Sequence, residues 1–276
     1  MIITAEINSY QIGNKTPVTI LRAGGFDSPR VQNNLFPISG RHGSKLPTTY
    51  WRERRVTLEL GIRKSSASEF ATVREDLFEA FNLPTKGLST LKFSTVDGKD
   101  LQLDVQLMNK IEAPFEPGRI TSGIAFLELV APDPYMLGQS LTETEIALPV
   151  AGGTGIPTEI PLSLVSSGGV ETITITGNGI NKPTITIKGP VTNPTILNAT
   201  TGESFSISGS YLSTDTIIID TDAETVIQNG IINLLDVFSG DFIDLRPGMN
   251  QINFSSSVYD ADALATIAWR NSYLSI

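Results

Sequence analysis

Phe126-Leu127-Glu128-Leu129-Val130-Ala131-Pro132-Asp133-Pro134-Tyr135 reads as a strand that runs into a corner. Phe126, Glu128 and Val130 alternate with Leu127 and Leu129, and the apolar content on both sides predicts a strand covered on both faces. Pro132 and Pro134 then fix φ, remove backbone donors and hold Ala131 and Asp133 out of the helical region. A sheet cannot continue through this corner. Pro132, Asp133, Pro134 and Tyr135 are therefore expected to be the hinge between two domains, 1–138 and 139–276. The 276-residue chain is long enough for two domains of roughly 100–150 residues.

Composition changes at the same place. Residues 1–138 carry 16 Lys and Arg against 15 Asp and Glu, whereas residues 139–276 carry 4 against 14. An acidic half disfavours nucleic acid and anionic membranes as partners, since phosphates are bound by clustered Lys and Arg. The chain has no cysteine, which excludes disulfides, thiolate nucleophiles and cysteine-ligated metals. The start of the sequence lacks the basic and apolar run of a signal peptide, and no apolar stretch approaches the ~20 residues of a membrane span. A soluble protein made in a cytoplasm is the expectation.

In the first half, Ile3–Ile7 and Val18–Leu21 read as strands. Residues 23–50 follow without clear periodicity, punctuated by glycine and proline, and carry Arg30, Arg41, Lys45 and the chain's one histidine, His42, against Asp27. Such a segment predicts an exposed arm, suited to reaching a neighbouring subunit. Val56–Ile62 alternates as a half-buried strand. A helix is expected over 66–82: Ser66 and Glu69 have capping-box spacing, Phe70, Val73, Leu77 and Phe81 form one apolar stripe, and Asn82-Leu83-Pro84 stops it. Glu75, Asp76 and Glu79 lie off the stripe on a solvated face. Asp97-Gly98 between Leu91–Thr95 and Leu101–Leu107 is a hairpin signal. The second half begins linker-like over 139–156 and continues as short β-branched strands separated by turns such as Gly177-Asn178-Gly179, Asn229-Gly230 and Pro247-Gly248, the pattern of a β-sandwich without helices.

Taken together and in order, these pieces resemble the distal tail proteins (Dit) of long-tailed phages with non-contractile tails. The resemblance rests on Arg54-Arg55-Val56-Thr57-Leu58-Glu59-Leu60-Gly61 before the helix, Val96-Asp97-Gly98, and Phe126 to Tyr135. In the second half it rests on Pro183-Thr184-Ile185-Thr186-Ile187-Lys188-Gly189, Asn193-Pro194, Ile218-Ile219-Asp220-Thr221, Leu245-Arg246-Pro247-Gly248-Met249-Asn250, and Trp269-Arg270. It implies a mainly β protein: an N-terminal tail-tube-like β domain with one packed α-helix, followed by a C-terminal galectin-like β-sandwich. It also implies a homohexameric ring, singly or as two stacked rings, that joins the tail tube to the tail-associated fibre or lysin protein at the virion's tail tip. The tape measure protein and receptor-binding proteins are further partners it implies. The arm is the region that members use to clasp the next subunit, which makes Arg30, Arg41, His42, Lys45, Tyr50, Trp51 and Arg52 the expected interface residues.

Other readings start from single features. Gly152-Gly153-Thr154-Gly155 lacks the Lys-Ser/Thr of a phosphate loop. His42 beside Ser39 and Ser44 has no acid in the loop to orient it, as a catalytic triad requires. Asp220, Asp222 and Glu224, with Asp236, Asp241 and Asp244, offer carboxylates for polysaccharide hydrolysis or calcium, but fall on turns and lack the EF-hand spacing. The main alternative to a structural hub is a carbohydrate-binding module recognising cell-wall glycan. Against it, residues 139–276 hold no histidine, one tryptophan, Trp269, expected in the core, and two arginines, Arg246 and Arg270. No enzyme activity, catalytic residue, metal or cofactor is expected.

Overall fold

The computed structural model describes residues 2–82, 87–113, 121–148 and 169–276. The helix stop at Leu83-Pro84 and the Gly152–Gly155 run fall outside the described residues. The chain forms two units, one of residues 1–139 with 272–276 and one of residues 140–271.

In the first unit, β1 (Ile2–Ile7), β2 (Tyr10–Gly13) and β3 (Val18–Gly24) precede an arm built from β4 (Val31–Asn33), β5 (Phe36–Pro37), β6 (Ser44–Lys45) and β7 (Thr49–Trp51). After the arm come β8 (Arg54–Arg63), α1 (Ala67–Ala80), β9 (Ser89–Thr95), β10 (Asp100–Leu107), β11 (Ser122–Ala131) and β12 (Met136–Gly138). The main sheet runs β2-β1-β9-β10-β11-β8-β3, and β12 pairs with both β10 and the returning strand Ser272–Tyr273. Alternation explains the core: Val56, Leu58, Leu60 and Ile62 of β8 face Leu127, Leu129 and Ala131 of β11, all at most 3 % exposed. The opposite face of β11 is open, with Phe126 45 % and Ile124 38 % exposed. The strand therefore has one buried side, not two, as suits an antiparallel sheet with one face on the core.

Helix α1 packs Phe70, Leu77, Ala80 and the C-cap Phe81 inward, and Val73 is partly buried against the same core. Its cap is a shifted capping box: Glu69 N–H donates to Ser66 Oγ at 3.2 Å, while the Glu69 carboxylate accepts from the Ser65 amide. The β9–β10 hairpin turns where expected, with the Gly98 amide donating to Thr95 O at 3.0 Å.

The second unit is a sandwich of two antiparallel sheets. Its strands are β13 (Thr142–Ala147), β14 (Gly169–Ile175), β15 (Thr184–Lys188), β16 (Val191–Thr192), β17 (Thr195–Asn198), β18 (Ser204–Ile207) and β19 (Ser210–Tyr211). They continue as β20 (Thr216–Asp220), β21 (Thr225–Gln228), β22 (Ile232–Asn233), β23 (Phe238–Gly240), β24 (Gly248–Ser255) and β25 (Leu264–Trp269). One sheet runs β13-β25-β15-β20-β21-β22 and the other β14-β24-β17-β18-β23, enclosing Ile185, Ile187, Ile196, Phe205, Ile219 and Phe254. Trp269 is in this core, 6 % exposed. The protein is thus mainly β, with a galectin-like sandwich as its second unit.

Two expectations change. Residues 142–147, read as linker, form an edge strand along β25; a polar Thr-Glu-Thr-Glu run burying only Ile146 gives little periodic signal. The second domain does not extend to Ile276, because the chain returns to the first unit at Ser272, where Met136 pairs with Tyr273 and Leu137 with Ser272.

Candidate functional site: the arm and its root

The arm is a hairpin in two short steps. Val31, Gln32 and Asn33 pair with Trp51, Tyr50 and Thr49, and Phe36 and Pro37 pair with Lys45 and Ser44. The tip closes through Ile38 N–H to Gly43 O and Arg41 N–H to Ile38 O, both at 3.3 Å. Strands of two or three residues broken by Pro and Gly fall below any readable period, which is why the segment reads as unstructured. From Arg30 to Arg52 every residue is exposed except Ile38, which is half-buried.

The structure places Arg41 and His42 at the tip, Lys45 opposite Phe36, Tyr50 opposite Gln32 and Trp51 opposite Val31. Arg30 and Arg52 face each other at the root, where the Arg52 amide donates to Arg30 O at 2.8 Å, and the Arg52 guanidinium lies 3.2 Å from Glu53. The basic reading missed the apolar content. Leu35 is 60 % exposed, Phe36 59 %, Tyr50 57 % and Leu46 52 %. Side chains of this size left in water on one extended element mark an interaction surface.

The root is fixed by one buried side chain, Arg54, 1 % exposed. Its Nη1 donates to Gly25 O (2.8 Å) and Asp27 O (2.5 Å), its Nε to Pro134 O (2.9 Å) and its Nη2 to Leu274 O (2.8 Å). One guanidinium so joins both legs of the arm, the proline corner and the returning tail. Burial pulls its pKa below the usual arginine value, opposed by the charges of Asp133 and Asp27. Beside it, Phe26 anchors the root in the core, its ring 4.9 Å edge-on from Phe93. The signal for Arg54 was present in the sequence: it shares the inward phase of Val56, Leu58 and Leu60.

Gly25 sits at this root with φ +88°, and a Cβ there would lie 1.9 Å from Arg55 O. Gly25→Ala is expected to destabilise the first unit by about 3 kcal/mol or more in a thermal melt. Gly40→Ala, at φ +73° with open space around it, should cost only about 1 kcal/mol.

The corner Pro132–Tyr135 is not the passage between units. The Asp133 carboxylate accepts from the Tyr135 amide at 2.9 Å, Arg54 holds Pro134 O, and the chain then adds β12 to the first sheet before crossing after Gln139. The prolines end β11, but the donors of Arg54 keep the corner inside the unit.

In the second unit, Asp220 and Asp222 are engaged within one turn. The Asp220 carboxylate accepts from the amides of Asp222 and Ala223 at 3.0 Å, and Asp222 pairs with Lys182 at 3.0 Å. Asp244 is half-buried, its pKa raised by burial and then by the Glu203 charge. Among the described residues no group of three acids or histidines could hold a metal.

Residues 176–273 match the family model for the siphovirus-type tail component, C-terminal domain. No curated protein matches the chain in sequence. Among solved structures, the SPP1 Dit (gp 19.1) protein, described as a paradigm of hub adsorption apparatus in phages infecting Gram-positive hosts, aligns over 99 % of both chains with a TM-score of 0.68 and 11 % identity. The phage P2 baseplate in its activated conformation with Ca aligns over 97 % of this chain and 98 % of that one, with a TM-score of 0.49 and 14 % identity. Residues 176–273 thus match the C-terminal domain of siphovirus-type tail components, and the chain as a whole is similar in fold to the SPP1 Dit protein.

Proposed function

We propose that the protein is the structural hub of a phage tail tip, a homohexameric ring, single or in stacked pairs, that joins the tail tube to the tail-associated fibre or lysin protein. The observation that carries the ring is the arm: an ordered hairpin whose Leu35, Phe36, Leu46 and Tyr50 are all more than half exposed in the single chain. Apolar side chains held in water by a paired hairpin are best covered by a neighbouring subunit. Arg30, Arg41, His42, Lys45, Tyr50, Trp51 and Arg52 belong to that contact, with the cations at its polar rim. The hub acts by holding partners in register and performs no catalysis. The glycan-binding alternative gains nothing from Trp269, whose ring is in the core.

The test is the solution mass of the purified protein by native mass spectrometry. Six or twelve copies of the 29.7 kDa chain are expected. Replacing residues 31–51 by a short Gly-Ser turn should give a folded monomer. A hexamer that survives arm excision would sink the clasp, and a wild-type monomer even on assembled tail tubes would sink the ring.

A further inference from the structure

The four acceptors of Arg54 come from three segments far apart in sequence, and the last, Leu274 O, arrives from beyond the second unit. The Ile276 amide adds a bond to Phe26 O at 3.3 Å, so the tail grips the arm root directly as well. We propose that the returning tail, Leu274–Ile276, is a strap that fixes the arm root through Arg54, and that the strap seats only when the second unit is folded. The arm is then presented for assembly only by a chain whose outer domain is complete. The proposal rests on the reading of the arm as the clasp.

The coupling follows from where the chain leaves and returns. In the first unit, Leu137 and Ser272 are paired neighbours. Within the second unit, the first and last strands also pair, Thr142 opposite Trp269. A folded second unit therefore holds its own two ends on adjacent strands, and the tail is tethered by a link of a few residues. If residues 140–271 unfold, the same tail must be recaptured across a loop of more than a hundred residues. Loop-closure entropy lowers its local concentration on the order of a hundredfold. Arg54 then loses the Leu274 acceptor, and Phe26 O, between the two carbonyls that Arg54 Nη1 holds, loses the bond from the Ile276 amide. Arg54 is a positioning residue: it touches no partner itself but sets the direction of the element that does.

Hydrogen exchange on the full chain tests this, read at the Arg52 amide and the Val31–Trp51 ladder, with β9 and β10 as the internal control. A chain ending at Tyr273 keeps the pairing of Ser272–Tyr273 with β12 but loses the strap. Its arm-root amides should exchange about tenfold faster or more while β9 and β10 are unchanged. Unchanged arm-root exchange would overturn the proposal. A second arm uses Phe254→Ala, deep in the second core, warmed until amides in residues 169–271 lose protection. Arm-root exchange should rise with that transition, and an arm that stays protected after it would overturn the coupling. Neither readout needs a ring, so failure of wild-type protein to assemble would count against the hub reading and leave this result standing.

Discussion

Arg54→Met is expected to lower the stability of the first unit by about 4 kcal/mol, the largest loss of any single side chain at the arm root. The guanidinium donates to four backbone carbonyls from three separate segments, all within 2.9 Å. Bonds to a charged donor contribute roughly 1.5–3 kcal/mol each, but four on one group are not additive, and the desolvation of a buried cation offsets part of them. For a unit of this size the net change corresponds to a fall in Tm of roughly 10 °C. Arg54→Lys should recover less than half, because one ammonium cannot span acceptors now split among Nε, Nη1 and Nη2. Arg55→Met is the control: the neighbouring side chain is exposed and its ion pair to Glu53 is 3.7 Å long, so the change should be within about 0.5 kcal/mol. Equal melting points for the Arg54 and Arg55 variants would refute the role given to Arg54.

That contrast between neighbours was legible in part. Strict alternation from Val56 to Ile62 tells which phase is buried, and the same phase extended backwards puts Arg54 inside and Arg55 outside. The helix was legible for the same reason, since Ser66 and the Phe70–Leu77–Phe81 stripe act locally. What no period reveals is which distant carbonyls fill the space around a buried cation: Leu274 is 220 residues from Arg54. The corner at Pro132–Pro134 shows the limit clearly. Proline chemistry dictates that β11 stops there, but whether the chain then leaves the unit depends on β12 finding β10 and Ser272, which is tertiary information. The strand Thr142–Ala147 was hidden because an edge strand buries little. The arm was legible as exposed and basic from composition. Its apolar half was not, because an exposed Leu or Phe looks the same in sequence as a buried one.

That apolar half leads to the second large effect. Leu35→Asp with Phe36→Asp is expected to abolish the oligomer at any salt concentration while leaving the melting temperature of the isolated chain nearly unchanged. Both side chains are about 60 % exposed, so the fold gains little from them, and surface changes of this kind stay within about 0.5 kcal/mol. In an interface each would bury apolar surface worth roughly 1.5–3 kcal/mol, and the introduced carboxylates would have to be desolvated as well. Losing that from a contact weakens it by on the order of a hundredfold or more, since each 1.4 kcal/mol is about tenfold. Arg41→Glu with Lys45→Glu should behave differently. Exposed charges act over a screening length of about 8 Å at physiological salt and mainly govern encounter rate. This variant should assemble slowly in low salt and recover as screening removes the new repulsion. Sedimentation of both variants between low and high salt separates the two contributions. If the charge-reversed arm is the one that never assembles and the Leu35/Phe36 variant assembles normally, the contact is electrostatic and the apolar face of the arm is turned away from it.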